Sequence, residues 1–183
     1  MERPLPHNFY DFFEIPHRLS LDLKDLEQRF YSLSRKWHPD RFARAGAEER
    51  RQAEDASAIL NDGYRTLRDP IKRANYLLKE QGFDIGEQQS KEVPPELLEE
   101  VFELNMALEE SDAEAIAKAR TRFESMQQTI DRELTAKFQE YDAQPSREVL
   151  KDVRALLNRR RYIENLVQKT ENIGPRMNTN EHE

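Results

Sequence analysis

Trp37-His38-Pro39-Asp40-Arg41 is the stretch on which the reading of this chain turns. A helix-patterned run leads into it and a longer one leaves it. Pro39 stops the first, because the residue before a proline is pushed out of the α region. His38, Pro39 and Asp40 are therefore expected at the tip of a helical hairpin, with their polar groups toward solvent. The ordinary alternative is an X-Pro-Asp turn, where proline presets φ and the aspartate caps a following N–H. Nothing structural in such a turn requires a histidine and an aspartate together, so the tip reads as a surface made for a partner.

Ahead of the tip, Leu23, Leu26, Phe30, Leu33 and Trp37 recur at three- and four-residue steps, one apolar stripe of an amphipathic helix. Asp22 has the N-cap position and Asp25 the capping-box position, with Leu21 and Leu26 as the hydrophobic staple. Lys24, Arg29, Arg35 and Lys36 lie off the stripe and make a basic face, which Arg41 and Arg44 extend beyond the tip. A second long helix is expected from Ala47 to about Arg68, stopped by Asp69-Pro70. Its stripe of Ala56, Ile59, Leu60, Gly63 and Leu67 is small enough for close antiparallel packing. Phe9-Tyr10-Asp11-Phe12-Phe13 is too short for an independent helix and should dock on this hairpin. Residues 71–80 read as a further helix ending before Gly82.

Composition agrees with helices: the 183 residues are 36% charged with only five glycines. No run approaches the length of a membrane span, and Met1-Glu2-Arg3-Pro4-Leu5-Pro6 has no targeting pattern, so the cytoplasm is the expected address. The absence of cysteine excludes disulfides, thiolate catalysis and cysteine-ligated metal within this chain. Net charge is −7, unevenly shared. Residues 1–80 hold 15 Lys+Arg against 14 Asp+Glu, and the remainder 14 against 22. A near-neutral half with a basic face and an acidic half suggest two surfaces for two partners.

The polar, unperiodic stretch 84–91 marks a domain border. The expected organisation is an N-terminal domain over 1–82, a linker over 83–94, a three-helix domain over 95–169 and a disordered tail over 170–183. Within the second domain three runs, about 95–110, 112–142 and 146–169, should form a bundle. The stripe of the second is Ile116, Phe123, Met126, Ile130, Leu134 and Phe138; that of the third is Val149, Val153, Leu156, Ile163 and Val167.

The first of these runs carries two stripes. Leu97, Val101, Leu104 and Leu108 form one, and Leu98, Phe102 and Met106 another, displaced by about 130°. Between residues 96 and 112 there are seven acids and no Lys or Arg. Each large apolar side chain gains about 1.5–3 kcal/mol on burial. Exposing three is a substantial loss against a total stability of about 5–15 kcal/mol, so such a patch should have a use. A three-helix bundle buries one stripe per helix well and two this far apart poorly. Tyr162 also lies off its helix's stripe, beside Arg159, Arg160 and Arg161, a composition common at binding hot spots.

The first half resembles a J-domain. The resemblance rests on the amphipathic helix 23–37, His38-Pro39-Asp40, and Asn61-x-x-Tyr64-x-x-Leu67-x-Asp69-Pro70-x-x-Arg73-Ala74-x-Tyr76-Leu77-Leu78. With the acidic helical domain after it, residues 7–168 resemble the HscB family of iron–sulfur co-chaperones. That resemblance implies an all-α fold, an N-terminal J-domain joined to a C-terminal three-helix bundle in an L-shaped two-domain arrangement. It implies a non-enzymatic, monomeric adaptor with no cofactor, which stimulates the ATPase of a DnaK-like chaperone, HscA, and delivers the cluster scaffold IscU. The implied chaperone-binding residues are His38, Pro39, Asp40, Arg29, Arg35, Lys36 and Arg41. The implied scaffold-binding residues are Leu98, Glu99, Phe102, Glu103, Met106, Glu110 and Tyr162. Glu99 stands where the family more often has an apolar residue, and Met106 where it more often has an acid.

Other functions find little support. The four histidines are scattered, and no HExxH, GxSxG or glycine-rich phosphate loop occurs, so neither a catalytic nor a metal site is expected. The acidic total and the lack of base-stacking motifs argue against nucleic acid, and no membrane partner is expected. A general J-domain co-chaperone for unfolded clients is the nearest alternative.

Overall fold

Asp22 starts the first long helix. Its carboxylate accepts from the N–H of Lys24 at 2.9 Å and from that of Asp25, as an N-cap should. The helix, α2, runs from Leu23 to Lys36, preceded by a single turn, α1 (Phe9–Phe12). A 3₁₀ turn at Pro39–Phe42 leads into α3 (Ala47–Leu67), and Asp69 caps α4 (Pro70–Glu80) with Pro70 at its first position. The C-terminal part has a short 3₁₀ turn (Pro95–Leu97) followed by α5 (Leu98–Glu109), α6 (Ala113–Ala143) and α7 (Arg147–Glu171). These elements come from a computed structural model that describes residues 5, 6, 8–84 and 93–171, and among them every regular element is helical. The fold is all-α, with two compact units.

The first unit comprises Met1–Asp84 with Tyr141–Pro145. The α2–α3 hairpin closes over Leu26, Ala53, Ala56, Leu60 and Leu67, and α4 adds Ala74, Leu77 and Leu78. The aromatic segment docks as its composition predicts: Tyr10, Phe12 and Phe13 are buried, and Phe9 stacks on Tyr76 at 4.6 Å. Gly63 makes this possible, since a Cβ there would lie 2.9 Å from Phe13 and 3.1 Å from Phe9. Leu23 departs from the expected stripe. It is 53% exposed, and the buried side of α2 begins at Leu26.

The loop between α1 and α2 is held by long-range polar contacts. Buried Arg73 donates its Nε to the Leu19 carbonyl at 2.8 Å and an Nη to the Leu67 carbonyl. Asp142 accepts from the N–H of Leu19 and of Ser20, both at 2.7 Å. The Leu19–Ser20 peptide is thus gripped from both sides, by a cation on its carbonyl and a carboxylate on its N–H, and the same carboxylate also holds the N–H of the peptide before it.

The second unit comprises Ile85–Glu140 with Ser146–Glu183. Leu97, Leu104, Phe123, Ile130, Leu134, Phe138, Val149, Val153 and Ile163 fill its core. The buried face of α7 is wider than the sequence stripe, because Leu150, Leu157 and Leu166 are buried too. A left-handed Ser111 (φ 55°) turns the chain after α5, and Asp112 caps α6 by accepting from Glu114 and Ala115 N–H groups at 3.0 Å. Thr170, expected in a tail, is buried in the last turn of α7. The rest of that expected tail from residue 172, and residues 85–92 of the expected linker, lie outside the described residues.

Candidate functional site

The tip is built by its own side chains. His38 takes an extended backbone (φ −62°, ψ 127°), as a residue before proline must, and Pro39 opens the 3₁₀ turn. The Asp40 N–H donates to His38 Nδ1 at 3.3 Å, so the imidazole caps the turn. This corrects the expectation that nothing structural calls for a histidine here. Asp40 Oδ2 stands 3.6 Å from the same Nδ1. The side chain of Asp40 is 90% exposed. Below it Trp37 and Phe42 stack at 6.2 Å, and Arg41 donates to the Arg35 carbonyl at 3.1 Å. These contacts tie both ends of the turn to α2 and hold the free carboxylate outward.

The four basic residues of α2 do not share one face. At about 100° per residue, Lys24 and Arg35 fall on one flank, and Arg29 and Lys36 on the other. Arg29 donates to Asp25 at 2.9 Å and to the carbonyls of Phe13 and Glu14 at 3.2 and 2.9 Å. Lys36 lies over the Trp37 ring at 5.4 Å. Arg29 and Arg41 are thus engaged within the first unit, while Arg35 keeps an exposed side chain with no ion pair among the described residues.

Leu97, just before α5, and Leu104 on it are fully buried, and Val101 and Leu108 half-buried. Leu98, Phe102 and Met106 are 56%, 64% and 44% exposed. These three follow one another at four-residue steps with exposed Glu110 next in the row, and exposed Glu99 and Glu103 form the adjacent row. The acids do not act alike. Glu100 is buried against Arg122 at 2.8 Å, and the same guanidinium stands 3.6 Å from Glu103. Glu100 therefore secures α5 to α6, and Glu99, Glu103 and Glu110 are left to edge the apolar row.

Tyr162 is half-buried on α7, and its hydroxyl pKa is raised by that burial. Of its neighbours, Arg160 is bound to Asp131 at 2.6 Å and Arg159 stands 3.6 Å from Glu96. The arginine run is therefore largely structural. Among the described residues, no group of three or more His, Asp or Glu could hold a metal ion, and no helix is long and apolar enough to cross a membrane.

The two regions each match a known family model. The DnaJ domain matches residues 8–76, and the HSCB C-terminal oligomerisation domain matches residues 93–171. The co-chaperone protein HscB homolog of Vibrio vulnificus strain CMCP6 is 40% identical over 137 residues, which is 69% of this chain and 80% of the relative. That of strain YJ016 is 41% identical over 117 residues, 61% of this chain and 68% of the relative. Among solved structures, human co-chaperone protein HscB aligns with a TM-score of 0.71 at 26% identity, over 93% of this chain and 83% of that one. Chaperone HscB from Vibrio cholerae aligns at 0.62 and 26%, over 91% and 96%.

Proposed function

The chain belongs to the HscB family of J-domain co-chaperones, and from that premise we propose that it couples a DnaK-like chaperone to an iron–sulfur cluster scaffold. The J-domain tip stimulates ATP hydrolysis by the chaperone, HscA. The C-terminal unit carries the scaffold, IscU, to it. The protein is a non-enzymatic, cytoplasmic monomer, and the cluster is cargo on the scaffold. In the general J-domain alternative, unfolded clients replace the scaffold.

The observation that carries this reading is the division of α5. One apolar row is fully buried at Leu97 and Leu104, while Leu98, Phe102 and Met106 face solvent beside exposed carboxylates. A folded partner with an apolar patch ringed by cations fits that row better than an unfolded chain does, because the carboxylates set a register as well as an affinity. At the tip, the exposed Asp40 carboxylate suits a partner arginine, a charge-assisted contact of strict geometry. Carrying both surfaces on one chain raises the local concentration of scaffold at the chaperone with no new chemistry.

Single-turnover ATPase measurements on the chaperone test the proposal. This protein alone should accelerate hydrolysis, and this protein loaded with folded scaffold should do so at lower concentration. If a folded scaffold fails to bind while unfolded peptides do, the general co-chaperone reading replaces this one.

A further inference from the structure

Resting on that reading, we infer that the chaperone-facing side of α2 is centred on an aromatic anchor, Tyr31, with Lys24 and Arg35 as its flanking cations.

Tyr31 is 56% exposed, one of five exposed large apolar side chains among the described residues and the only aromatic one of these on α2. It lies about 130° from the middle of the inward stripe formed by buried Leu26 and half-buried Phe30, Leu33 and Trp37. Hydrophobic anchoring of the helix is therefore not its role. Lys24 and Arg35 fall within about 40° of it on the helical wheel, Arg35 one turn nearer the tip. The other two basic residues are elsewhere: Arg29 is tied to the carbonyls of Phe13 and Glu14, and Lys36 to the face of Trp37. The surface continuous with His38-Pro39-Asp40 is thus a ring with a cation on each side, rather than a run of cations.

Such a surface fits a partner that is acidic and has an apolar depression, and its continuity with the tip makes the ATP-driven chaperone the occupant. The Tyr31 ring meets Phe30 edge-on, with centroids 5.6 Å apart at 65°. Phe30 in turn is stacked on Tyr64 at 4.3 Å, so the exposed ring rests on a fixed support. A supported tyrosine with two side-chain torsions loses little freedom on binding, which is why such residues dominate interface energies. An interface anchored this way depends less on salt than one held by charge alone.

The test uses the full chain with Tyr31→Ala, Tyr31→Phe, Arg35→Ala and Asp40→Asn in single-turnover ATPase titrations of the chaperone at low and high salt, each variant checked by thermal melting. Tyr31→Ala should raise the half-stimulating concentration roughly tenfold, keep the maximal stimulation, and melt as the parent does. Tyr31→Phe should match the parent, and Arg35→Ala should chiefly flatten the salt dependence. If the parent stimulates and Asp40→Asn does not, but Tyr31→Ala stays within twofold of the parent, the inference is overturned and the proposed function stands. No stimulation by the parent overturns both. Weaker self-association of Tyr31→Ala with unchanged stimulation assigns the ring to a second copy of this chain and also overturns the inference.

Discussion

Arg29 holds the carbonyl of Glu14 at 2.9 Å, and Glu14 is one of two non-glycine residues with a left-handed backbone among the described residues, φ 54°. Such a conformation costs about 1 kcal/mol or more and persists where its surroundings enforce it. Arg29→Ala should lower the unfolding free energy of the first unit by about 1–2 kcal/mol, read by denaturant titration. Arg29→Lys should recover little, because a single ammonium lacks the fork that reaches two carbonyls and Asp25. A changed half-stimulating concentration with unchanged stability would instead mark Arg29 as a chaperone contact.

Asp40→Asn should abolish chaperone stimulation and leave scaffold affinity and melting temperature at parental values. The side chain is almost wholly exposed, and the turn is capped through the Asp40 main-chain N–H, which the substitution keeps. Loss of scaffold binding as well would point to misfolding.

Phe102→Ala should weaken scaffold binding by about 2 kcal/mol or more in calorimetry, with little change in thermal stability. Leu97→Ala, one face away and fully buried, should show the reverse: about 2–5 kcal/mol less stability. A sharply lower melting temperature for Phe102→Ala would make that ring part of the core.

Gly63→Ala should destabilise the first unit by about 1–3 kcal/mol, because the added methyl meets the Phe13 and Phe9 rings closer than van der Waals contact allows. The strain falls on the docked aromatic segment, so near-ultraviolet circular dichroism should report it.

Burial raises the hydroxyl pKa values of Tyr10 and Tyr76. A group whose folded pKa lies above its unfolded value gives stability that is whole below the unfolded value, about 10, and lost as pH rises past it. Denaturant midpoints should therefore fall from about pH 10 upward. Tyr10→Phe should flatten that fall, at the cost of the hydrogen bond from its hydroxyl to the Arg18 carbonyl.

Much of this is legible in the chain wherever local periodicity decides. Pro39 and Pro70 place the helix ends, and the four-residue recurrence of Leu98, Phe102 and Met106, set well off Leu97 and Leu104, places one row outside and one inside. What is not legible comes from contacts distant in sequence. Nothing near Arg29 says that it reaches the carbonyls of Phe13 and Glu14, so it reads as a free surface cation. Glu100 reads as one more solvated acid, although it is buried against Arg122. His38 looks purely recognitional because a side chain that caps its own turn leaves no periodic trace. Leu23 looks like core because its spacing fits, yet at the first turn of α2 it stays 53% exposed.

The bond from Asp142 to the donors of Leu19 and Ser20 spans more than a hundred residues and lies within the first unit. In this protein the J-domain is therefore not a cassette that can be excised at residue 84. A truncated piece would leave two amides seeking acceptors, beside a buried arginine that has lost one of its countercharges. Grafting it onto another protein would carry along an unfinished loop just where α2, the arm that bears the tip, begins.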